Sequence, residues 1–249
     1  MPIPQHPLDA IFPIVALDNA GPTYSFLGTG FFVRADSTFM TAKHLLDPHT
    51  AADITFIAVD TRGQPATHAI EDVRFSPRYD IAIGRVPTWN LPFPLQLSET
   101  EPALNADLIT MEFSQTSSQS QPDGSSHLNL IPSARKGHVI RNYMTDSLSI
   151  TPAPTHVLEL SFPALRGASG APVLAELRHP QPGAVVGLLI ANVEHHLMPA
   201  QVERIDDHTG VIEERRYFLP LALAISCRHL RAFALENGLL ASDPEPPSP

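Results

Sequence analysis

The sequence predicts an all-β protein: two small antiparallel barrels in series, then one C-terminal α-helix. Three observations carry this. Six short β-prone runs separated by turn residues fill roughly the first ninety positions, the pattern of a small barrel. Proline outnumbers glycine, 26 to 13, which argues against long helices and uninterrupted central strands. Sustained helical spacing comes only near the end, where Leu223, Cys227, Leu230 and Ala234 fall on one face.

Residues 1–10 are proline-rich and read as irregular. Residues 12–17 read as the first strand, and Asn19-Ala20-Gly21-Pro22 is a turn signal. Residues 25–33 follow as a strand broken by Gly28-Thr29-Gly30, and 38–42 as a short apolar strand. The latter ends at Lys43-His44-Leu45-Leu46-Asp47, enough for one helical turn. Strands are expected at 54–59 and 68–75, then a loop at 76–79 and an apolar strand over 80–86 that opens on Asp80. The proline-rich stretch 87–102 links the barrels, which are assigned to 11–95 and 96–219. In the second barrel strands are expected at 106–113, 128–131, 137–143, 157–162, 171–177 and 184–193. The Ser/Gln-rich stretch 114–126 reads as a mobile loop, and 194–213 as an excursion rich in charge and histidine. A last short strand spans 217–219. Pro220 then opens a helix over 220–238, stopped by Asn237-Gly238. Residues 239–249 read as a disordered tail.

A net charge of −10 repels phosphate backbones, so nucleic acid is not an expected partner. No run approaches the roughly 18 apolar residues of a membrane span, and the N-terminus lacks the pattern of a secretory signal. Cys227 is the single cysteine, so no internal disulfide can form. Its place on the apolar helix face makes it a core residue rather than a nucleophile. These features lead to the expectation of a cytoplasmic protein with no membrane partner.

The segment Arg166-Gly167-Ala168-Ser169-Gly170-Ala171-Pro172-Val173 puts a serine between glycines just before an apolar run. Such a turn exposes a hydroxyl and lets a substrate approach backbone N–H groups. A serine hydroxyl needs a base within hydrogen-bond reach to act as a nucleophile. An imidazole titrates near neutrality and can be that base. His195-His196, with His208, are the residues to weigh for a metal, but adjacent strand residues point to opposite faces and no zinc-type spacing accompanies them. No metal or other cofactor is expected.

His44, Asp80 and Ser169 stand in the order His, Asp, Ser, and the chain resembles the trypsin-like serine proteases. It is most similar to HtrA-type bacterial members, without the PDZ domain these usually carry. Gly28-Thr29-Gly30-Phe31-Phe32 looks like the family's Gly-Ser-Gly strand. Phe39-Met40-Thr41-Ala42-Lys43-His44 looks like the segment that delivers the histidine, and Asp80-Ile81-Ala82-Ile83 is similar to the family's Asp-(Ile/Leu)-Ala-(Leu/Val). Lys136-Gly137-His138-Val139-Ile140 looks like the strand before the serine segment. Val185-Val186-Gly187-Leu188 and Phe218-Leu219-Pro220 match the last strands before the C-terminal helix.

The resemblance implies a chymotrypsin-like fold of two six-stranded antiparallel barrels with the active site between them. The implied activity is that of a serine endopeptidase acting on protein or peptide substrates. In that scheme Ser169 is the nucleophile, His44 its base and Asp80 the group that orients the imidazole. Backbone N–H groups of Gly167 and Ser169 form the oxyanion hole. Pro163, Ile190, Ala191 and Asn192 line the substrate pocket. Pro163 stands where trypsin-specific members carry an acid, so selection of Lys or Arg is not supported. A small or apolar residue before the scissile bond is expected instead. Ile190 replaces the Ser or Thr that usually supports the catalytic Asp. A second reading is therefore a catalytically weak protease-like fold serving as a binding or scaffold module. An α/β-hydrolase is disfavoured, because Ala171 stands where its elbow needs glycine and its order is Ser, Asp, His. A small protease without a sensor domain leads to the expectation of a regulatory partner protein.

Overall fold

Aromatic and β-branched runs make the first half a curled antiparallel sheet. The computed structural model describes residues 6–18, 23–49, 54–61, 66–89, 94–120, 126–146, 148, 150–206 and 211–240. Strands β1 (Ile11–Asp18), β2 (Thr23–Phe32), β3 (Thr38–Thr41), β4 (Ile54–Asp60), β5 (Ala66–Ala69), β6 (Glu71–Phe75) and β7 (Ala82–Arg85) form one sheet, in the order β5-β4-β1-β2-β3-β7-β6. Phe12 and Ile14 of β1 enter the main core with Phe31, Phe32, Phe39 and Trp89. Val15 meets Ile57 and Val59 in a smaller cluster.

The stretch 68–75, expected as one strand, is bent. Residues 66–69 pair with β4 and 71–75 with β7, and Asp72 takes a left-handed φ of 52° at the bend. The two edges of the sheet are thus joined by the chain itself. Counted as one bent strand, β5 and β6 bring the total to the expected six. Residues 7–10 form a 3-10 turn capped by the His6 side chain, where irregular structure was expected.

In the second half, strands β8 (Asp107–Glu112), β9 (Ser117–Ser120), β10 (Ser126–Asn129), β11 (Ser133–Thr145), β12 (Thr155–Leu160), β13 (Pro172–Ala175), β14 (Val185–Asp206) and β15 (Val211–Ser226) precede helix α1 (Cys227–Glu236). A closed six-stranded barrel runs β11-β12-β15-β14-β13-β8. Leu108, Val139, Leu158, Val173, Val186 and Leu189 fill it, with Ala171, Ala222 and Ala224 where space is short.

Three expectations fail here. Of the Ser/Gln-rich stretch 114–126, residues 121–125 lie outside the described residues, while 117–120 form β9 and pair with β10 in place of a mobile loop. Leu128 beside it covers the cluster around Val15. Of the charged stretch 194–213, residues 194–206 continue β14 and 211–213 belong to β15, paired from Glu194 opposite Pro220 to Asp206 opposite Val211, while 207–210 lie outside the described residues. Pro220 does not open the helix; it lies within β15, and α1 starts at Cys227 behind an Ser226 cap. Residues 221–226 are buried throughout, so the period of two that marks a half-buried strand is missing. β15 pairs with β12 only from Ala222 onward, which leaves Pro220 where a missing N–H costs least. Of the expected tail, residues 241–249 lie outside the described residues. Among the described residues no helix is long and apolar enough to cross a membrane.

The halves are tied at three places. Residues 94–98 cross between them: Leu95 N–H donates to Phe32 O, Val185 N–H to Gln96 O and Ser98 N–H to Val185 O. Thr29, fully buried, is the second tie. Its N–H donates to Ser169 O at 3.0 Å and its hydroxyl to Gly167 O at 3.1 Å. That hydroxyl accepts from Phe113 N–H at 3.3 Å, while Thr29 O accepts from the Thr41 hydroxyl at 2.7 Å. Gly28 makes the approach possible, since a Cβ there would stand 2.7 Å from Ser169 O.

Helix α1 is the third tie. Leu230 and Phe233 enter the main core cluster, which draws residues from both halves. Arg78 pairs with Glu236, and the Tyr79 ring lies 4.0 Å from that of His229. Buried His229 accepts the His156 N–H at Nε2 over 2.8 Å. Burial, with His156 and Arg228 beside it, pushes the His229 pKa from 6.5 down to about 4. Cys227 is also buried, and desolvation raises its thiol pKa to about 11.

Two expected outcomes follow from these ties. Thr29→Val leaves the Phe113 N–H and Gly167 O without their partner and lowers unfolding free energy by about 1–3 kcal/mol, measurable by urea titration. An unchanged midpoint and slope would remove Thr29 from this role. For His229, the unfolded chain takes up a proton below about pH 6.5 that the folded state refuses until about pH 4. Its contribution is complete above 6.5 and is lost as pH falls towards 4. His229→Phe should therefore flatten the stability profile between those limits; an identical slope in both proteins refutes the assignment.

Candidate active site

His44 reaches the site because the residues after it anchor the chain. β3 ends at Thr41, Ala42 caps a 3-10 turn over Lys43–Leu45, and Leu45 and Leu46 are buried. The His44 side chain is left 31% exposed. Asp80 comes from the tight turn before β7. There the Ser76 hydroxyl accepts from the N–H groups of Arg78 and Tyr79, Ser76 N–H donates to Ile81 O, and Ile81 N–H to Tyr79 O. Ile81, Ala82 and Ile83 are buried behind it.

Asp80 is 1% exposed, and both its oxygens serve His44. Oδ1 accepts the backbone N–H at 2.8 Å and Oδ2 faces Nδ1 at 2.6 Å. A carboxylate only accepts, so the imidazole proton sits on Nδ1 and Nε2 is left with a lone pair. These charge-assisted bonds offset the desolvation of the carboxylate.

The Ser169 turn is pinned on both sides. Ala168 N–H donates to Leu165 O, Ala171 N–H to Ala168 O, Gly170 N–H to Leu189 O and Leu189 N–H to Ala171 O. Gly170 has φ +83°, and a Cβ there would stand 2.1 Å from Thr29 O and 2.3 Å from the Thr41 hydroxyl. No other residue fits. That contact also sets the serine turn against Thr41 and Ala42, which lead into His44. Among the described residues the Gly167 and Ser169 N–H groups have no hydrogen-bond acceptor. The Ser169 hydroxyl is turned to Ile190 O at 3.3 Å, away from a bond with His44.

The segments 163–165 and 190–192, expected to line the substrate pocket, are joined by one side chain. Exposed Asn192 bridges them: Ala164 N–H donates to its Oδ1 at 2.7 Å and its Nδ2 donates to Ala164 O at 2.7 Å. Ala191 is partly buried between them. The Ile190 side chain lies in the core, 3% exposed. Glu159 is buried and held by Arg141. Beyond Gly167 a cleft of about 400 Å³ is lined by Tyr24, Phe26, Leu27, Ser114, Thr116 and exposed Arg166.

The Thr29 tie and the Asn192 bridge were not foreseen. A polar residue between two glycines in an apolar strand is the one sequence signal for the first. The His195 and His196 side chains and His208 lie outside the described residues. Among those described, no three His, Cys, Asp or Glu are placed to hold a metal ion.

Residues 28–188, well over half of the chain, match the family model described as trypsin-like peptidase domain. No curated protein matches the chain. Among solved structures the chain is similar to the Rv3671c protease from M. tuberculosis in its active form. They share 17% identity over 95% of this chain and 83% of that one, with a TM-score of 0.58. It is also similar to the HtrA-type protease AlgW with a decapeptide (12% identity, 92% of this chain, 65% of that one, TM-score 0.55). The protease domain of MamO from Magnetospirillum magneticum is a third (13%, 90%, 95% and 0.55). At these identities the structural likeness establishes a chymotrypsin-like fold. With the matched domain, it places the chain in the trypsin-like serine protease family.

Proposed function

We propose that the chain is a serine endopeptidase in which His44, Asp80 and Ser169 form the catalytic triad. The observation that carries the reading is the double hydrogen bond from His44 to buried Asp80. It leaves Nε2 free to serve as a base, and the serine turn packs against Thr41 and Ala42, which lead into His44. In the proposed sequence the Ser169 hydroxyl turns from Ile190 O to His44. Nε2 takes its proton as Oγ attacks the scissile carbonyl. The Gly167 and Ser169 N–H groups receive the oxyanion. His44 then protonates the leaving amine, and water, activated in the same way, hydrolyses the acyl-enzyme. Asp80 keeps the imidazole in the required tautomer and stabilises the imidazolium. The hydroxyl's position on Ile190 O favours the second reading, a weakened site retained for binding. It also suits an enzyme that a regulatory partner protein or the substrate itself switches on.

Asn192, bonded twice to Ala164, draws the two expected pocket segments together, which supports a small residue before the scissile bond.

Labelling with a fluorophosphonate separates the two readings. Wild type should label, while Ser169→Ala and His44→Ala should not, and Asp80→Asn should slow labelling by about 10⁴-fold. A folded wild-type protein that stays unlabelled favours the binding module. In a peptide library wild type should select Ala or Gly, and Asn192→Gly should shift the preference to larger apolar residues. Dominant Arg or Lys, or an unchanged profile in the variant, sinks this account of the pocket.

A further inference from the structure

The aim of the Asp80 carboxylate depends on the turn over residues 76–81, and the bonds within that turn are all to backbone groups or to Ser76. The residues just before Asp80 are held from outside. Arg78 pairs with Glu236 of α1 and lies over the Tyr79 ring, 5.6 Å from its centroid. The Tyr79 ring packs on His229 of α1 at 4.0 Å and 35°. His229 is 6% exposed and cannot swing freely, because its Nε2 accepts the His156 N–H. His156 Nδ1 in turn stands 2.8 Å from Glu101 Oε1. Glu101 also accepts from the Ser226 hydroxyl that caps α1, at 2.5 Å, and from Arg228 at 3.0 Å. The groups facing His229 are therefore His156 and Glu101 from the barrel side, Arg228 from its own helix and Arg78 from the turn.

We propose that α1 is a positioning element for Asp80: its His229 holds Tyr79, and Tyr79 fixes the turn that points the carboxylate at His44. The proposal rests on reading His44 and Asp80 as catalytic. His229 and Tyr79 are positioning residues that touch no substrate. Through them the second half of the chain sets the geometry of a hydrogen-bonded pair lying wholly in the first. The tilted ring pair adds attraction beyond burial alone, enough to bias a surface turn between an aimed and an unaimed state.

The test compares wild type, Tyr79→Phe, Tyr79→Leu and His229→Ala. The first readout is the proton NMR signal of the hydrogen between His44 Nδ1 and Asp80, which needs no catalysis. The second is the fluorophosphonate labelling rate. Tyr79→Phe keeps a ring and should keep the signal and the rate. Tyr79→Leu and His229→Ala should broaden or lose the signal through faster exchange, and slow labelling by about tenfold with circular dichroism unchanged. Should Tyr79→Leu fail to fold, His229→Ala supplies the same comparison. An unperturbed signal in the folded variants overturns the proposal. A signal that responds as expected in a protein that never labels leaves the positioning role standing and defeats the peptidase reading instead.

Discussion

Thr29 is the point at which the two halves become one site. Its peptide and hydroxyl bond to Ser169, Gly167, Phe113 and Thr41, all out of reach of water. In that setting a missing partner costs far more than a bond gains, so the four contacts stand or fall together. In the proposed triad the nucleophile and the base are carried by different halves and need alignment to about 0.5 Å. Side-chain packing alone tolerates larger slips. Gly28 and Gly170 follow from this constraint, because any Cβ at either position would press on the same backbone oxygens.

Buried charge separates structure from chemistry. Glu112 and Glu159 are 0% and 1% exposed, and each has a permanent cation, Arg135 and Arg141 respectively. Asp80 is buried as deeply, yet its side-chain partner among the described contacts is a histidine. An arginine would compensate the carboxylate better and would do so at every pH. A neutral imidazole offers less stability and a transferable proton. The choice of partner at Asp80 fits a group retained for catalysis at some expense of stability.

What could be read from the sequence was local. The apolar runs that became β1, β2, β3 and β4, the histidine after a strand, the carboxylate opening another and the serine between glycines each declare themselves within a few residues. Contacts that depend on pairing did not. The register of residues 194–206 against 211–220 compensates a charged, histidine-rich composition that by itself reads as a loop. Residues 221–226 lie between two strands and lose the alternation that would have separated them from a helix, which is why Pro220 looked like a helix start. Tyr79 and His229 are 150 positions apart, and neither carries a local sign of the other. Asn192 could be named as a pocket residue, but its bridge to Ala164 depends on how two segments converge.

The resting position of the Ser169 hydroxyl can be weighed by magnitude. Its bond to Ile190 O is a neutral one at 3.3 Å, at the long end of the useful range. A bond of that kind contributes about 1 kcal/mol at most, a bias of about fivefold against the rotamer facing His44. Loss of a triad member costs orders of magnitude more. Under the proposed peptidase reading the observed rotamer therefore costs little, because turning the hydroxyl towards His44 gives up only this one weak bond. The features that are expensive to build, the buried carboxylate bonded twice to His44 and the serine turn clamped by Thr29, are all in place. A fold kept only for binding would have no need to maintain them, which supports the proposed peptidase reading.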